Sequence, residues 1–326
     1  MKKVLVTFKA RREDKDIIGR YLNSLAKVYF IDELEEEELN NILPEINIIL
    51  TGSGLDLASE LLRRTRNLEL VQTLSAGADS LPFSDIPEDA TICSNAGGNA
   101  VAVAEHTWAL ILAATKKIVY HDNNMRKGLW KRREYGMILR GKAIGILGLG
   151  HIGREVARIA KAFGMRILAI NRSGKTDMSV DFIGTLDDID YLLRNSDIIV
   201  ITLPLTRWTR GLIGHRELAL MKPNAILVNV SRGPIVDQKA LYEHLKSNPN
   251  FVACLDVWWR YPPRGSDKAF QDYPFHELSN VIMTPHIAGF APEIRPEVIK
   301  KAVENIVRYI KGERLLNVVR REDYVY

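Results

Sequence analysis

Cysteine is nearly missing from this 326-residue chain: Cys93 and Cys254 are the pair, each set in apolar sequence and neither at a metal-ligand spacing. A disulfide framework and a metal site are therefore not expected, and two buried, reduced thiols are. Glutamine is almost as scarce, with Gln72, Gln238 and Gln271 alone, a leaning shared with heat-adapted proteins. No apolar run approaches the length that crosses a bilayer. The N-terminus enters a strand pattern and meets Arg11 and Arg12 too soon for a signal peptide, so a cytoplasmic protein without a membrane partner is expected. Basic–aromatic interleaving is also lacking. The formal charge of +5 comes from Lys and Arg scattered among Asp and Glu, which argues against nucleic acid as a partner and suits small anionic ligands. The one acidic run, Glu35 to Glu38, reads as the solvated face of a helix.

What is present is alternation. Lys3 to Phe8, Val28 to Ile31, Ile46 to Leu50 and Leu68 to Thr73 read as short buried strands with helices between them, the order of a parallel sheet. Two glycine loops, Ser75-Ala-Gly-Ala-Asp79 and Asn95-Ala-Gly-Gly-Asn99, follow strand ends, where open α/β sheets bind ligands. Val101 to Ile118 reads as one long, largely apolar helix. A polar, basic stretch from Lys116 to Arg140, containing Trp130, marks the edge of a second domain. Apolar runs then recur at Ala143, at Arg166 to Ile170, Ile198 to Leu203, Ala225 to Val230, Val252 to Asp256 and Val281 to Thr284, as in a doubly wound nucleotide domain. Pro292 to Lys311 reads as an amphipathic helix returning to the first domain.

The run from Ala143 enters Gly148-Leu149-Gly150-His151-Ile152-Gly153, a G-x-G-x-x-G between a strand and a helix pattern. Gly148 allows the tight turn, Gly150 lets backbone approach a pyrophosphate, and Gly153 lets helix pack on strand. The phosphates then meet unpaired N–H groups at the helix start.

With that loop placed, the order of the remaining motifs resembles the D-isomer-specific 2-hydroxyacid dehydrogenase family over nearly the whole chain. The resemblance rests on Ser75 to Asp79, Asn99 with Val103-Ala-Glu105, Gly148 to Gly153, Leu203-Pro-Leu-Thr206, Val228-Asn-Val-Ser-Arg232-Gly233, Leu255-Asp256-Val257 and Thr284-Pro-His286-Ile-Ala-Gly289. It implies an α/β fold of two domains: a flavodoxin-like substrate domain (1–100 and 288–326) and an inserted Rossmann doubly wound parallel-sheet domain (101–287). It implies that Arg232, whose planar fork matches a carboxylate, binds substrate. His286 would be the acid/base, imidazole being able to give and take a proton near neutrality. No other histidine has a comparable sequence setting, and His151 would line the cofactor. Ser75 and the amides of Ala76 and Gly77 would hold the substrate carboxylate as an anion nest. Leu149, Ile152, Leu203, Pro204, Thr209, Val230, Ser231 and Gly289 join the glycines as cofactor contacts. Asp256 would sit near the nicotinamide or, alternatively, cap a strand-end turn. The family commonly forms dimers, so a homodimer is expected.

Two departures matter. The family usually carries a glutamate five residues after the aspartate, hydrogen-bonded to the catalytic histidine; here Tyr261 stands in that place. A carboxylate would raise the imidazole pKa, which a neutral phenol does not do. The strand after the glycine helix ends in Asn171-Arg172-Ser173 instead of an acidic residue. Arg172 would attract a 2′-phosphate, and Asn171 and Ser173 could hydrogen-bond to it, which favours NADP(H) over NAD(H). The expected function is hydride transfer between NAD(P)H and a small 2-keto or 2-hydroxy acid, as in glyoxylate/hydroxypyruvate reductases and phosphoglycerate dehydrogenases. The alternatives are a non-catalytic dinucleotide-sensing protein on the same scaffold and a methyltransferase with a similar loop.

Overall fold

The computed structural model describes residues 1–53, 57–263, 266 and 271–324. The chain forms two compact units, Met1–Asn99 with Ala291–Tyr326, and Ala100–Phe290.

In the first unit β1 (Lys2–Val6), β2 (Ala26–Phe30), β3 (Ile48–Thr51), β4 (Leu70–Thr73) and β5 (Thr91–Cys93) form a parallel sheet in the order β2-β1-β3-β4-β5. This is the flavodoxin-like order. Because side chains alternate along a strand, Leu5, Ile49, Val71 and Ile92 fill one face while Val4, Val6, Ile48, Leu50 and Leu70 fill the other. The helices α1 (Arg12–Leu22), α2 (Glu36–Ile42) and α3 (Ser59–Arg64) link these strands, and Glu36, Glu37 and Glu38 are exposed as expected.

The second unit holds α4 (Ala100–Thr115), α5 (Ile118–Arg126), β6 (Ala143–Leu147), α6 (His151–Ala162), β7 (Arg166–Ile170), β8 (Phe182–Gly184), α7 (Ile189–Asn195), β9 (Ile198–Ile201), α8 (His215–Leu220), β10 (Ile226–Asn229), α9 (Gln238–Ser247), β11 (Val252–Leu255) and β12 (Val281–Met283). Its seven strands pair in parallel as β12-β11-β10-β9-β6-β7-β8. Strand order reverses between β6 and β9, and the carboxyl end of that pair is the switch point at which doubly wound sheets bind ligands. The last helix, α10 (Arg295–Ile310), belongs to the first unit, where Arg295 grips the buried Asp14 of α1 at 2.6 Å.

Two sequence expectations need correction. The helix read from Val101 to Ile118 is broken at Lys117, which adopts φ 53° and starts α5 inside the supposed linker. β8 gave no sequence signal, because it is a three-residue edge strand that is only half-buried along most of its length. Both cysteines are buried and free as expected, and burial pushes the Cys254 thiol up to about 12. Among the described residues no helix is long and apolar enough to cross a membrane.

Candidate active site

The three loop glycines have three different steric reasons. Gly148 takes φ 108°, and a Cβ there would stand 2.9 Å from the Leu203 nitrogen. At Gly153 a Cβ would stand 2.2 Å from the Gly148 carbonyl oxygen, so only glycine lets α6 lie this close to the turn. Gly150 is the opposite case: it is exposed, and a Cβ would meet nothing within 4 Å. Space is therefore kept open at the start of α6, whose first amides have no side-chain cap. That is the environment a pyrophosphate requires. Thr202 donates to the Gly148 carbonyl at 2.6 Å and Ser231 donates to the Leu203 carbonyl, tying the ends of β6, β9 and β10 together. Thr209, expected to touch cofactor, donates at 2.6 Å to the Pro204 carbonyl within its own loop.

Beyond β7, the Asn171 side chain shapes a turn, accepting from the Ser173 amide at 3.0 Å and donating to the Lys175 carbonyl at 2.7 Å. Arg172 and Ser173 are exposed on that turn. Arg154, in the first turns of α6, pairs with Asp177 at 2.6 Å.

The loops after β10, β11 and β12 meet at Trp258. Asn229 fixes the first loop, donating to the Arg232 carbonyl at 2.9 Å and accepting from the Ser231 amide at 3.1 Å. The half-buried Arg232 precedes Gly233, where a Cβ would stand 2.3 Å from the Trp258 carbonyl carbon. Trp258 in turn donates its indole N–H to the Thr284 carbonyl at 3.0 Å. Trp259 stacks on Phe275 at 5.3 Å and donates to the Val236 carbonyl, so the paired tryptophans hold the loops together.

His286 lies on the third loop in the left-handed region, φ 59°, a conformation that costs a non-glycine residue about 1–2 kcal/mol and persists only where its surroundings enforce it. The enforcement comes from the fully buried Asp256. Its Oδ1 accepts from the Thr284 hydroxyl at 2.6 Å and the Ile287 amide at 2.9 Å, and its Oδ2 from the Ala288 amide at 3.0 Å. Above the turn, the Tyr261 ring lies 5.3 Å from the imidazole at 36°, while its hydroxyl accepts from the Trp258 amide at 3.3 Å.

Residues 108–288 match the family described as D-isomer specific 2-hydroxyacid dehydrogenase, NAD binding domain. The chain belongs to that family. It is 36% identical over 288 residues to a D-3-phosphoglycerate dehydrogenase of Archaeoglobus fulgidus, covering 88% of this chain and 54% of the relative. It is also 39% identical to a glyoxylate reductase of Aeropyrum pernix, covering 94% of this chain and 95% of that one. The chain thus spans about half the length of the phosphoglycerate dehydrogenase and nearly all of the reductase. Among solved structures, an acyclic imino acid reductase in complex with NADPH and D-Arg superposes with a TM-score of 0.79 at 28% identity, covering 98% of this chain and 100% of the other.

In this dehydrogenase-family chain, Arg232, Asp256, Tyr261 and His286 all lie on the loops after β10, β11 and β12 of the second unit, together with the glycine loop. Ser75, Ala76 and Gly77 belong to the first unit; there the Ser75 carbonyl accepts from Thr73 at 2.8 Å and from the Asn95 amide at 2.9 Å. Sequence reading missed His106 and Thr284. The imidazole Nε2 of His106, on α4, lies 3.1 Å from the Thr284 hydroxyl and 3.6 Å from Asp256 Oδ1, so one further histidine does have a setting close to His286. The available signal was adjacency: His106 directly follows the Val103-Ala-Glu105 motif, and Thr284 opens the motif that carries His286.

Proposed function

We propose that this protein is an NAD(P)-dependent oxidoreductase interconverting small 2-keto acids and D-2-hydroxy acids. One observation carries the reading: a histidine held at φ 59° by a buried aspartate, on loops knitted through Trp258 to the one bearing Arg232, in the same unit as the glycine cradle. The open space at Gly150 and the uncapped start of α6 fit a dinucleotide. Bound there, the nicotinamide would supply or accept the hydride. Arg232 presents a planar, permanently charged fork to the substrate carboxylate and carbonyl. His286 protonates the keto oxygen in reduction and accepts the hydroxyl proton in oxidation. In the first unit, the Ser75 loop with the Ala76 and Gly77 amides is the kind of turn that holds a carboxylate.

The exposed Arg172 supports a preference for NADP(H) over NAD(H), with Ser173 beside it. Arg172→Asp should then weaken NADPH binding by roughly tenfold more than NADH binding, read by fluorescence titration; equal losses would refute the phosphate contact. Trp130, Tyr135 and Ile138, exposed at 73%, 79% and 72%, support a homodimer through the segment after α5, which sedimentation equilibrium would test. Activity is tested by mixing the protein and NADPH or NADH with glyoxylate, hydroxypyruvate and phosphohydroxypyruvate and following cofactor absorbance. Turnover supports the reading. Tight dinucleotide binding with no turnover across a broad keto-acid panel would favour the sensing protein, a reading weakened by the names of the relatives.

A further inference from the structure

The acid/base proposed above is His286, and a second histidine, His106, meets the base of the same turn through Thr284 and Asp256. Thr284 gives its hydroxyl proton to Asp256 at 2.6 Å. The hydroxyl therefore has only lone pairs to offer the imidazole 3.1 Å away, and Nε2 of His106 must carry the proton. The donors converge on Asp256: His106 Nε2–H donates to Thr284 Oγ1, Thr284 O–H donates to Asp256 Oδ1, and the Ile287 and Ala288 amides donate to Asp256 Oδ1 and Oδ2. These amides immediately follow His286, whose backbone is in the left-handed region. Because α4 is anchored independently, with the Trp108 indole donating to the Val156 carbonyl of α6 at 3.2 Å, His106 approaches the turn from a rigid support.

We infer that His106 is a positioning residue for His286, acting through Thr284 and Asp256 on the 284–288 turn. The inference rests on the reading of His286 as the acid/base, but its effect on the turn does not. The chemistry needed at position 106 is an N–H donor of suitable reach. Glutamine can supply one and phenylalanine cannot.

The test compares His106→Phe and His106→Gln with the unaltered protein by two readouts. In hydrogen exchange followed by mass spectrometry, His106→Phe should speed exchange of the Ile287 and Ala288 amides by roughly fivefold to tenfold, the factor one lost hydrogen bond allows, and His106→Gln should restore protection. In steady-state reduction of glyoxylate or hydroxypyruvate with NADPH, His106→Phe should lower kcat by roughly 10- to 100-fold with KM for NADPH unchanged, and should add nothing in a His286→Asn background. If His106→Phe does not fold, Thr284→Val replaces it, removing the bridging hydroxyl at nearly constant shape, with the same expected results. Unaltered exchange at 287 and 288 overturns the inference, as does a glutamine variant no better than phenylalanine. A His286→Asn variant with undiminished kcat would instead sink the acid/base reading, and the exchange result would still decide the role of His106.

Discussion

Tyr261 places a phenol where the family usually has a carboxylate, and its ring lies 5.3 Å from the His286 imidazole. A carboxylate there would stabilise the imidazolium, so Tyr261→Glu should raise the imidazole pKa. In reduction the protonated form is the active acid. The alkaline limb of the reductive kcat/KM profile should therefore move upward by roughly one pH unit, and an unmoved limb would mean that position 261 does not tune His286. Candidate site residues could be placed from the sequence where a motif ties a residue to a strand end, as with Arg232, Asp256 and His286. The partners that hold them could not, because hydrogen bonds such as His106 to Thr284 join positions 178 residues apart. Asp256 illustrates both: the sequence allowed either a cofactor contact or a turn cap, and its two oxygens take three donors from the 284–288 turn.

Two elements carry the second unit's sheet into the cofactor loop. The first is the close packing of α6 on β6. Gly153→Ala would drive a methyl group to within 2.2 Å of the Gly148 carbonyl oxygen, which is backbone and cannot swing away. The expected cost is about 1–3 kcal/mol of stability together with weaker dinucleotide binding, measurable by calorimetry; an unchanged melting temperature would contradict the packing. The second is the entry to β6, where Asp197 accepts from the Ala143 amide at 2.9 Å and from Lys222 at 2.8 Å. Burial raises the Asp197 pKa, but the Lys222 and Ala143 hydrogen bonds and the nearby positive charges outweigh it and leave it below the usual value. A depressed carboxyl contributes stability above its unfolded pKa and loses it as pH falls through the folded value. Asp197→Asn should therefore lower the melting temperature near neutral pH, with the difference from the unaltered protein shrinking in acid; a constant difference down to pH about 2 would refute the linkage. Long apolar strands such as β6 and β7 were legible because both faces are buried. The α4–α5 break was not, since Lys117 at φ 53° has no glycine or asparagine to announce it.

Over the whole molecule, alternation of short apolar runs with helical segments made two parallel sheets legible, and the position of the glycine loop assigned the nucleotide-binding order to the second. What the pattern could not supply was the edge strand β8, whose three residues bury little surface. The two units have distinct strand orders, β2-β1-β3-β4-β5 and β12-β11-β10-β9-β6-β7-β8, and only the second combines the cradle with the His286 and Arg232 loops. If these parts serve one reaction, removing either side chain must spare dinucleotide binding and abolish turnover. The decisive measurement is single-turnover reduction of glyoxylate or hydroxypyruvate by pre-bound NADPH in the unaltered protein, in His286→Asn and in Arg232→Gln. A loss of at least about a hundredfold in the hydride-transfer rate in both variants, with NADPH affinity retained, is the expected result. Hydride transfer at the unaltered rate in either variant would contradict it.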